Sequence, residues 1–458
     1  MEPFRANSQG VPLRVYIETY GCQMNVADSQ LVAAILRQAG FERAESAEAA
    51  DVILLNTCAI REHAEERIIG RVADLARLRY RRPDLLLGVL GCMAQKQKES
   101  LLKRAPQLDL VVGPDAYRRL PELISRARYN PTVDVRLNRT ELYGDIVPEH
   151  DSSVRAYVTV MRGCDQFCTF CIVPYVRGRE RSVAPDAVLE EVRVLAERGV
   201  KEVVLLGQTV NAYRYGDVDF ATLLKMVAQV DGIERIRFTS PHPNFVTESL
   251  IEAMATVDKL QPYLHLPVQS GSDRVLRAMA RGYDVERYLR LVERLRKAIP
   301  DLALSTDIIV GFCGEEEEDF RATLDLLREV SFDSAFIFKY SRREHTKAFK
   351  MGDTVDEEEK LRRLKEAIAL QERISLEINQ RLIGRNFPVL IEGPARRGGG
   401  MLAGKTPQFK TVVLPEAQGL GVGQTEVVTI KAVTSHSLSG VPVGVLPSRR
   451  PVQQQASA

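Results

Sequence analysis

The stretch Met161-Arg-Gly-Cys-Asp-Gln-Phe-Cys-Thr-Phe-Cys-Ile-Val-Pro-Tyr175 holds three cysteines, Cys164, Cys168 and Cys171, with the spacing CxxxCxxC. Structural zinc sites and electron-transfer clusters usually take four protein ligands, so this set is one ligand short of a closed cage. On a 4Fe-4S cluster, three thiolates leave one iron open to a small molecule. The spacing therefore predicts a cluster at which chemistry can occur. A zinc ion or a loop without metal is the alternative, and the strand-like run before the loop and the aromatic residue inside it favour the cluster.

Length and composition are those of a multidomain enzyme. The chain has 458 residues, 45% of them hydrophobic, and at roughly 150 residues per domain this length predicts about three domains. Seven cysteines, three of them clustered, indicate thiol or metal chemistry in a reducing compartment rather than a disulfide framework. The first residues lack an apolar signal segment and the longest apolar stretch, 85–94, is too short to span a bilayer, so we expect a cytoplasmic protein. The net charge is only +2, so any nucleic-acid-binding surface must be local.

The first 150 residues alternate between strand-like and helix-like segments. Apolar runs of strand length lie at 14–19, 51–56, 85–90 and 108–112, and segments with helical periodicity lie near 28–39, 62–79, 94–105 and 115–127. This alternation predicts a parallel sheet covered by helices.

Three further cysteines follow the first three of these predicted strands. Cys22, Cys58 and Cys92 lie just beyond the carboxyl ends of the strands, the edge at which open α/β sheets bind ligands. Glycines directly before Cys22 and Cys92 suit tight turns. Buried free cysteines are common in cores, which is the alternative interpretation. Three cysteines at equivalent strand ends instead predict a second three-cysteine cluster, whose open iron could hold an exogenous sulfur species.

The alternation continues from about 152 to 340. Strands are predicted at 157–161, 202–206, 235–239, 263–266, 304–309 and 335–340, and helices near 185–198, 220–230, 246–257, 284–298 and 316–330. Six such units predict an incomplete β/α barrel whose first loop carries the CxxxCxxC motif. Its active site should lie at the carboxyl ends of the strands.

Polar or glycine-bearing segments end several of these strands and together line one rim. The candidate site residues among them are Gly207, Gln208, Ser240, His265 and Asp307. Each segment is weak alone, because such residues often serve turns and hydrogen bonds without catalysis. We interpret His242 and His265 as hydrogen-bonded or substrate-packing groups rather than metal ligands. Cys313 has no neighbouring cysteine and is interpreted as structural.

The C-terminal part changes in composition. A charged amphipathic helix is predicted at 356–381, and after Gly384 the chain becomes rich in Gly, Pro, Val and Thr. Strand-like runs at 387–391, 410–414 and 425–433 suggest a small five-stranded antiparallel barrel. Residues 383–458 hold eight Lys or Arg residues against three Glu, a local charge of +5. This excess suggests RNA binding, and a solvated basic face is the alternative.

The full arrangement resembles the methylthiotransferase family of radical S-adenosylmethionine (SAM) enzymes over nearly the whole chain. The CxxxCxxC loop with an aromatic residue before its third cysteine is typical of the radical SAM superfamily. The strings that carry the closer resemblance are Thr-Tyr-Gly-Cys22-Gln-Met-Asn, Asn-Thr-Cys58-Ala-Ile-Arg-Glu, Gly-Cys92-Met-Ala-Gln, Arg-Gly-Cys164 through Cys171-Ile-Val-Pro-Tyr-Val-Arg-Gly-Arg-Glu, Leu264-His-Leu-Pro-Val-Gln-Ser-Gly-Ser-Asp273 and Ser305-Thr-Asp-Ile-Ile-Val-Gly-Phe312. The C-terminal segment is similar to a TRAM domain, a tRNA-binding module, with Gly404-Lys-Thr406 at its usual signature.

The resemblance implies an α/β protein of three domains. These are an N-terminal parallel-sheet domain at 1–150, a partial radical SAM barrel with a trailing helix at 151–382, and a small antiparallel TRAM-like barrel with a tail at 383–458. It also implies two 4Fe-4S clusters, with SAM as cofactor near the rim residues named above. The cluster ligands would be Cys22, Cys58 and Cys92 for one cluster and Cys164, Cys168 and Cys171 for the other.

The implied reaction is methylthiolation of tRNA. One SAM gives a methyl group to sulfur on the cluster of Cys22, Cys58 and Cys92. A second SAM, cleaved at the cluster of Cys164, Cys168 and Cys171, gives a radical that removes hydrogen from carbon 2 of isopentenyladenosine beside the anticodon, at position 37. An unactivated aromatic C–H bond offers no acidic proton, so no general acid or base is assigned. The family also implies an electron donor such as flavodoxin or ferredoxin. The oligomeric state stays open.

Two segments depart from the family pattern. The chain has Gly311-Phe-Cys-Gly-Glu-Glu316 where Gly-Phe-Pro-Gly-Glu-Thr is typical, and Arg343-Glu-His-Thr-Lys-Ala348 where Arg-x-Gly-Thr-Pro-Ala is typical. Neither contains a predicted cluster ligand, so they bear on SAM and substrate contacts and not on the reaction class. The alternative substrates are another tRNA adenosine and a ribosomal protein aspartate. The alternative from another class is an RNA-binding metalloprotein without catalysis.

Overall fold

The computed structural model describes residues 11–58, 62–150, 154–396, 399–416 and 419–443. Over these residues the chain forms an N-terminal sheet, a central barrel and a C-terminal barrel. In these ranges no helix has both the length and the apolar content needed to cross a bilayer.

The N-terminal part is a parallel sheet flanked by helices. Its strands are β1 Arg14–Tyr20, β2 Glu42–Arg43, β3 Val52–Thr57, β4 Leu86–Gly91, β5 Leu110–Val112 and β6 Thr132–Asp134. Its helices are α1 Gln23–Gln38, α2 Glu62–Ala76, α3 Cys92–Gln97, α4 Ser100–Arg104 and α5 Leu120–Ala127. The strand order is β2-β1-β3-β4-β5-β6, and all pairs are parallel.

This sheet confirms the predicted α/β arrangement. The central strands β3 and β4 are buried along their whole length, as expected for a parallel sheet covered on both faces. The single helix predicted at 94–105 is instead two short helices, α3 and α4. Lys98 lies between them with a φ of 52°, a left-handed conformation that interrupts the helix.

The central part contains six parallel barrel strands and two short antiparallel pairs. The strands are β7 Arg155–Thr159, β8 Met161–Arg162, β9 Arg181–Ser182, β10 Glu202–Leu206, β11 Arg214–Tyr215, β12 Val218–Asp219, β13 Arg235–Phe238, β14 Tyr263–His265, β15 Ala303–Val310 and β16 Ser334–Lys339. The helices are α6 Val173–Arg177, α7 Pro185–Glu197, α8 Phe220–Ala228, α9 Glu248–Thr256, α10 Asp273–Ala278, α11 Val285–Ala298, α12 Glu317–Val330, α13 Lys347–Met351 and α14 Glu357–Gln380.

The barrel strands form two parallel sheets, β7-β10-β13 and β14-β15-β16. A parallel bridge between Ile236 and Leu260 joins the two sheets. The six predicted strands and the incomplete barrel are therefore confirmed. Leu264, Leu304 and Ile308 pack into the main hydrophobic core, whereas the residues that alternate with them face the other side of the sheet.

The C-terminal part is a closed five-stranded barrel that follows α14. Its strands are β17 Asn386–Pro394, β18 Met401–Lys405, β19 Thr411–Pro415, β20 Thr425–Val433 and β21 Leu438–Pro442, in the order β17-β18-β19-β21-β20. The predicted barrel is confirmed. Its strands pair antiparallel except for β19 with β21. An odd number of strands cannot alternate direction all the way around a closed ring, so one neighbouring pair must be parallel.

The C-terminal barrel covers the amino ends of the central strands. Arg235 donates to the carbonyl oxygen of Lys405 at 2.8 Å, and Arg237 donates to the carbonyl oxygen of Thr406 at 3.0 Å. Arg237 is itself held by Glu202 at 2.8 Å. The opposite rim, at the carboxyl ends of the strands, carries the first cysteine loop.

Candidate metal centres

Two of the three cysteines in the 164–171 loop bind side chains from other parts of the barrel. Cys164 Sγ lies 3.2 Å from Thr209 Oγ1, just after β10, and the Gln166 N–H lies 3.5 Å from the same sulfur. Arg281 donates from Nη1 to Cys168 Sγ at 3.3 Å. Such donors stabilise a thiolate more than a thiol. These contacts hold the two sulfurs in place.

Two thiols of this loop are neutral in the metal-free protein. Desolvation raises the pKa of the Cys171 thiol to about 12, and burial also raises the pKa of Cys164. Such thiols ionise at neutral pH when a metal binds the sulfur, because coordination offsets the cost of desolvation. Within the described residues no three His, Cys, Asp or Glu side chains are arranged to hold a single metal ion. Three cysteine sulfurs are the donor type that iron-sulfur clusters take.

Glycines give the loop its shape. Gly163 has a φ of 81°, and a Cβ at this position would overlap the carbonyl oxygen of Arg179. A Cβ on Gly207 would lie 2.5 Å from Cγ of Met161. Both positions therefore require glycine for close approach of the backbone.

The predicted rim residues fall into two groups. Gln208 accepts a hydrogen bond from the Gly163 N–H at 2.6 Å, which places Gly207 and Gln208 against the cysteine loop. Ser240, with a φ of 60°, accepts from the N–H of Val210 at 3.3 Å. These three residues therefore gather around the turn that follows β10.

His265 and Asp307 form the second group, on β14 and β15. His265 Nδ1 lies 2.8 Å from Ser305 Oγ, and its Nε2 lies 3.4 Å from Asp307 Oδ2. The half-exposed ring of Phe336 lies 5.8 Å from the His265 ring, centroid to centroid. His265 is thus a hydrogen-bonded side chain on an accessible sheet face, as its sequence context predicts.

The second set of cysteines meets at the carboxyl edge of the N-terminal sheet. Cys22 precedes α1, Cys58 directly follows β3, and Cys92 begins α3 after β4, and the three preceding strands are neighbours in the sheet. The pKa of Cys22 is lowered to about 6, chiefly by a hydrogen bond with Cys58. A Cβ on Gly21 would lie 2.7 Å from Cβ of Cys58.

Cys92 completes this set and contacts the central barrel. Burial raises the pKa of its thiol. Arg177 donates from Nε to Cys92 Sγ at 3.1 Å, and Ile172 and Val176 pack against the cysteine. Ile172 directly follows Cys171. A single short segment, 172–177, therefore runs from the first cysteine loop to the second cysteine set.

The seventh cysteine belongs to neither set, but its hydrophobic cluster packs against Phe170 of the first cysteine loop. Cys313 is buried with Val275, Met279 and Phe312, and its Sγ lies 3.6 Å from the carbonyl oxygen of Ala348. This environment agrees with the structural role that the sequence predicts for it.

Several residues that hold the sulfurs were not found from the sequence. They are Thr209, Arg281, Arg177 and Asp28, the last of which pairs with Arg177 at 2.6 Å. Arg177 stands only six residues after Cys171, which is a local signal that could have identified it. Arg281 is separated from Cys168 by 113 residues, and no spacing rule connects them.

Comparison with family models assigns each part of the chain. The Radical SAM superfamily matches residues 158–327, the family described as Uncharacterized protein family UPF0004 matches residues 14–113, and the TRAM domain matches residues 380–443. The radical SAM methyltransferase TsrM from Kitasatospora setae superposes with a TM-score of 0.56 at 14% identity, over 85% of this chain and 80% of that one. The cobalamin-dependent radical SAM enzyme OxsB gives a TM-score of 0.52 at 14% identity, over 78% and 56%. These structures share the fold with this chain. The Radical SAM family model over 158–327, which includes the three-cysteine loop, indicates the class: the chain is a radical SAM enzyme.

Full-length relatives define the family. A tRNA-2-methylthio-N(6)-dimethylallyladenosine synthase from Azobacteroides pseudotrichonymphae genomovar. CFP2 is 45% identical over 436 residues, which are 94% of this chain and 97% of the relative. One from Porphyromonas gingivalis (strain ATCC BAA-308 / W83) is 46% identical over 438 residues, 93% of this chain and 94% of the relative. The chain belongs to the family of tRNA-2-methylthio-N(6)-dimethylallyladenosine synthases. Its cofactors are accordingly SAM and 4Fe-4S clusters.

Proposed function

We propose that the protein attaches a methylthio group to carbon 2 of isopentenyladenosine at position 37 of tRNA, using one SAM as methyl donor and a second as radical source. The observation that carries this proposal is the contact of Cys92 with Ile172 and Val176. It supports the proposal because it brings the two cysteine sets, the proposed sulfur-holding site and the proposed SAM-cleaving site, to the two ends of one short segment. Transfer of a methylthio group onto an unactivated carbon needs both.

The cluster ligands follow from the two cysteine sets. Cys164, Cys168 and Cys171 would hold one cluster, and Cys22, Cys58 and Cys92 would hold the other. When bound, the first cluster supplies the electron that cleaves SAM, and the second supplies a site for sulfur.

The protein's own side chains orient these ligands. Thr209 and Arg281 fix Cys164 and Cys168, and Arg177 fixes Cys92. We assign SAM contacts to the two groups of rim residues, Gly207, Gln208, Ser240, His265 and Asp307. No side chain is assigned as a general acid or base, since the carbon that reacts carries no acidic proton.

The C-terminal barrel is proposed to bind the tRNA. Two of the basic residues counted in this part are engaged elsewhere, because Lys405 lies 2.7 Å from Thr411 Oγ1 and Lys410 lies 2.6 Å from an Asp333 carboxylate oxygen. Arg385, Arg396 and Lys431 are exposed. We therefore propose that these three contact the RNA backbone. Arg397, Arg449 and Arg450, which the sequence also includes in the basic excess, lie outside the described residues.

Further parts of the proposal concern the setting of the reaction. The electron donor is proposed to be a flavodoxin or ferredoxin, and the working compartment the cytoplasm. The domain boundaries are proposed at 1–150, 151–382 and 383–458, which is supported by one family model within or close to each range.

The decisive test is nucleoside mass spectrometry of isopentenylated tRNA. The tRNA is incubated anaerobically with iron-reconstituted protein, sulfide, SAM and a strong reductant. We expect isopentenyladenosine to gain a methylthio group in place of one hydrogen. Unchanged nucleoside with continued release of 5′-deoxyadenosine would point to another tRNA adenosine or a ribosomal protein aspartate. No release of 5′-deoxyadenosine would point to a metalloprotein without catalysis.

A further inference from the structure

A buried group of three charged residues lies beside the second cysteine set. Asp28 on α1 accepts from Nη2 of Arg162 at 2.9 Å, and its other oxygen lies 2.6 Å from Nη1 of Arg177. The exposed fraction of each of these three side chains is 3% or less. Arg177 then donates from Nε to Cys92 Sγ at 3.1 Å. The group therefore connects the N-terminal sheet, the central barrel and a candidate cluster ligand.

The charges of this group do not cancel. Two guanidinium groups contact one carboxylate in a region shielded from water. Another acidic group near Arg162 is the largely buried Glu191, whose pKa is raised by desolvation, so it compensates the arginines less than an ionised carboxylate would. An unbalanced buried charge is strongly destabilising, because it loses its hydration without gaining a partner. Arg177 Nη2 and Arg162 Nε and Nη1 are buried and make no hydrogen bond to any residue that the structure describes. An additional negative charge near these guanidinium groups would therefore stabilise the folded protein.

The neighbouring sulfurs can provide that negative charge. A 4Fe-4S cluster held by three thiolates is negatively charged when oxidised and gains a further negative charge when reduced. A fixed positive charge next to a ligand sulfur stabilises the reduced form more than the oxidised form. Hydrogen bonds to cluster sulfurs act in the same direction, and both raise the reduction potential.

We propose that Arg177 is a positioning residue that holds the Cys92 sulfur and raises the reduction potential of the second cluster, with Asp28 and Arg162 fixing its orientation. The inference rests on the proposed function, because it takes Cys22, Cys58 and Cys92 as cluster ligands. The new element is that the positive charge beside the second cluster is contributed by the radical SAM barrel, through Arg177 at the end of segment 172–177.

The test measures the potential of the second cluster alone. A full-length variant with Cys164, Cys168 and Cys171 all replaced by alanine is reconstituted with iron and sulfide, and its cluster is titrated with reductant while the EPR signal is followed. In this background, Arg177→Gln should shift the midpoint potential to more negative values. Arg177→Lys, which keeps the charge, should shift it less. Asp28→Asn, which leaves both arginines uncompensated, should shift it to more positive values.

The midpoint potential should shift in opposite directions in Arg177→Gln and Asp28→Asn, and this distinguishes the inference from a purely structural role. Loosening of the interface would lower iron content in both Arg177→Gln and Asp28→Asn, without moving their potentials in opposite directions. Arg181→Gln is the comparison variant, because Arg181 forms a buried pair with Asp115 at 2.9 Å between the same two parts of the chain and donates to the carbonyl oxygen of Arg177 at 2.9 Å, whereas Arg177 itself donates to Cys92. Its shift should be clearly smaller than that of Arg177→Gln.

Each result has a defined meaning. If the background variant binds no iron, the ligand assignment and with it the proposed function are wrong. If it binds iron but Arg177→Gln leaves the potential unchanged, or Arg181→Gln gives the same shift, the inference is wrong. If Arg177→Gln does not assemble a cluster, the test rests on the midpoint potential of Asp28→Asn. A potential in Asp28→Asn that equals that of the background, or lies below it, would overturn the inference.

Discussion

Phe409 of the C-terminal barrel packs against Tyr263 of the central barrel, with the ring centroids 5.0 Å apart. The Arg237 guanidinium lies 4.7 Å from the centre of the Phe409 ring. The Tyr263 hydroxyl lies 2.7 Å from Ser305 Oγ, which in turn lies 2.8 Å from His265 Nδ1. The C-terminal barrel therefore closes the amino end of the central barrel. It also contacts a hydrogen-bonded chain that ends at a proposed SAM-binding residue.

Replacing Phe409 with alanine should uncouple the C-terminal barrel from the rest of the chain. The substitution removes an aromatic pair, worth about 0.5–1.5 kcal/mol beyond its buried area. It also removes the ring over which Arg155, Arg237 and Lys405 lie, three cation–π contacts worth about 0.5–2 kcal/mol each. We expect the C-terminal barrel to unfold in a separate, earlier transition in scanning calorimetry. The wild-type chain should not show that transition.

Val427 offers a matched control for this experiment. It lies on β20 of the same barrel and is 46% exposed. Val427→Ala should change stability by less than about 0.5 kcal/mol, as is usual for surface substitutions. An unaltered single transition in Phe409→Ala would mean that the ring does not hold the two barrels together.

The sequence was most informative where strands are buried. The strand predicted at 202–206 is β10 to the residue, because a parallel strand covered on both faces is a continuous apolar run. The two-residue strand β2 and the three-residue strand β6 at the edges of the N-terminal sheet were not predicted. Strands this short carry no periodicity to detect. The placement of Cys22, Cys58 and Cys92 followed from the predicted strand ends, whereas Cys164, Cys168 and Cys171 were recognised by their spacing.

Long-range contacts were beyond the reach of the sequence. The sequence analysis included Lys405 and Lys410 in the basic excess that suggested RNA binding. In the structure Lys405 donates a hydrogen bond to Thr411 and Lys410 forms an ion pair with Asp333. Desolvation lowers the pKa of Lys405 to about 8. Charge counting cannot distinguish an exposed lysine from one of this kind, because burial depends on how distant segments pack.

Single cysteine substitutions should separate the two clusters by activity. Cys168→Ala removes a proposed ligand of the SAM-cleaving cluster, so it should abolish both 5′-deoxyadenosine release and methylthiolated product. Cys58→Ala removes a proposed ligand of the second cluster, so it should keep some SAM cleavage while losing the product. Chromatography of 5′-deoxyadenosine and mass spectrometry of the tRNA nucleosides measure the two outcomes.

Cys313→Ala is the control for both variants. This cysteine belongs to neither set, and alanine keeps most of its apolar packing beside Phe170, so its replacement should leave iron content and both activities near wild-type values. Full methylthiolation by Cys58→Ala would refute the assignment of the second cluster.

The glycine before the first cysteine loop should be essential for iron binding. In Gly163→Ala the new Cβ would overlap the Arg179 carbonyl oxygen, and the φ of 81° adds strain. The loop must then shift, and we expect a loss of iron from this cluster, measured by iron analysis and by EPR of the reduced protein. Gly199→Ala is the control, since its φ is 86° but nothing lies within 4 Å of the new Cβ. It should cost about 1–2 kcal/mol of stability and keep its iron.

His242 should make the metal-free protein less stable as the pH falls. Its side chain is 5% exposed, and its Nδ1 accepts the Asn244 N–H at 3.2 Å, a bond that needs the neutral ring. Desolvation, with a smaller effect from the charge of Arg281, lowers its pKa to about 3. The unfolded chain takes up a proton near pH 6.5, whereas the folded chain stays neutral down to about pH 3.

Between these two pH values the unfolded state binds more protons, so the free energy of unfolding contributed by His242 falls as pH is lowered. The slope is at most about 1.4 kcal/mol per pH unit. Urea unfolding of the metal-free protein at pH 7 and pH 4.5 should therefore show a smaller loss of stability for His242→Gln than for wild type, because glutamine cannot take up this proton. Equal losses in the two proteins would mean that the folded state also accepts a proton on His242, which would then have to give up its hydrogen bond with Asn244.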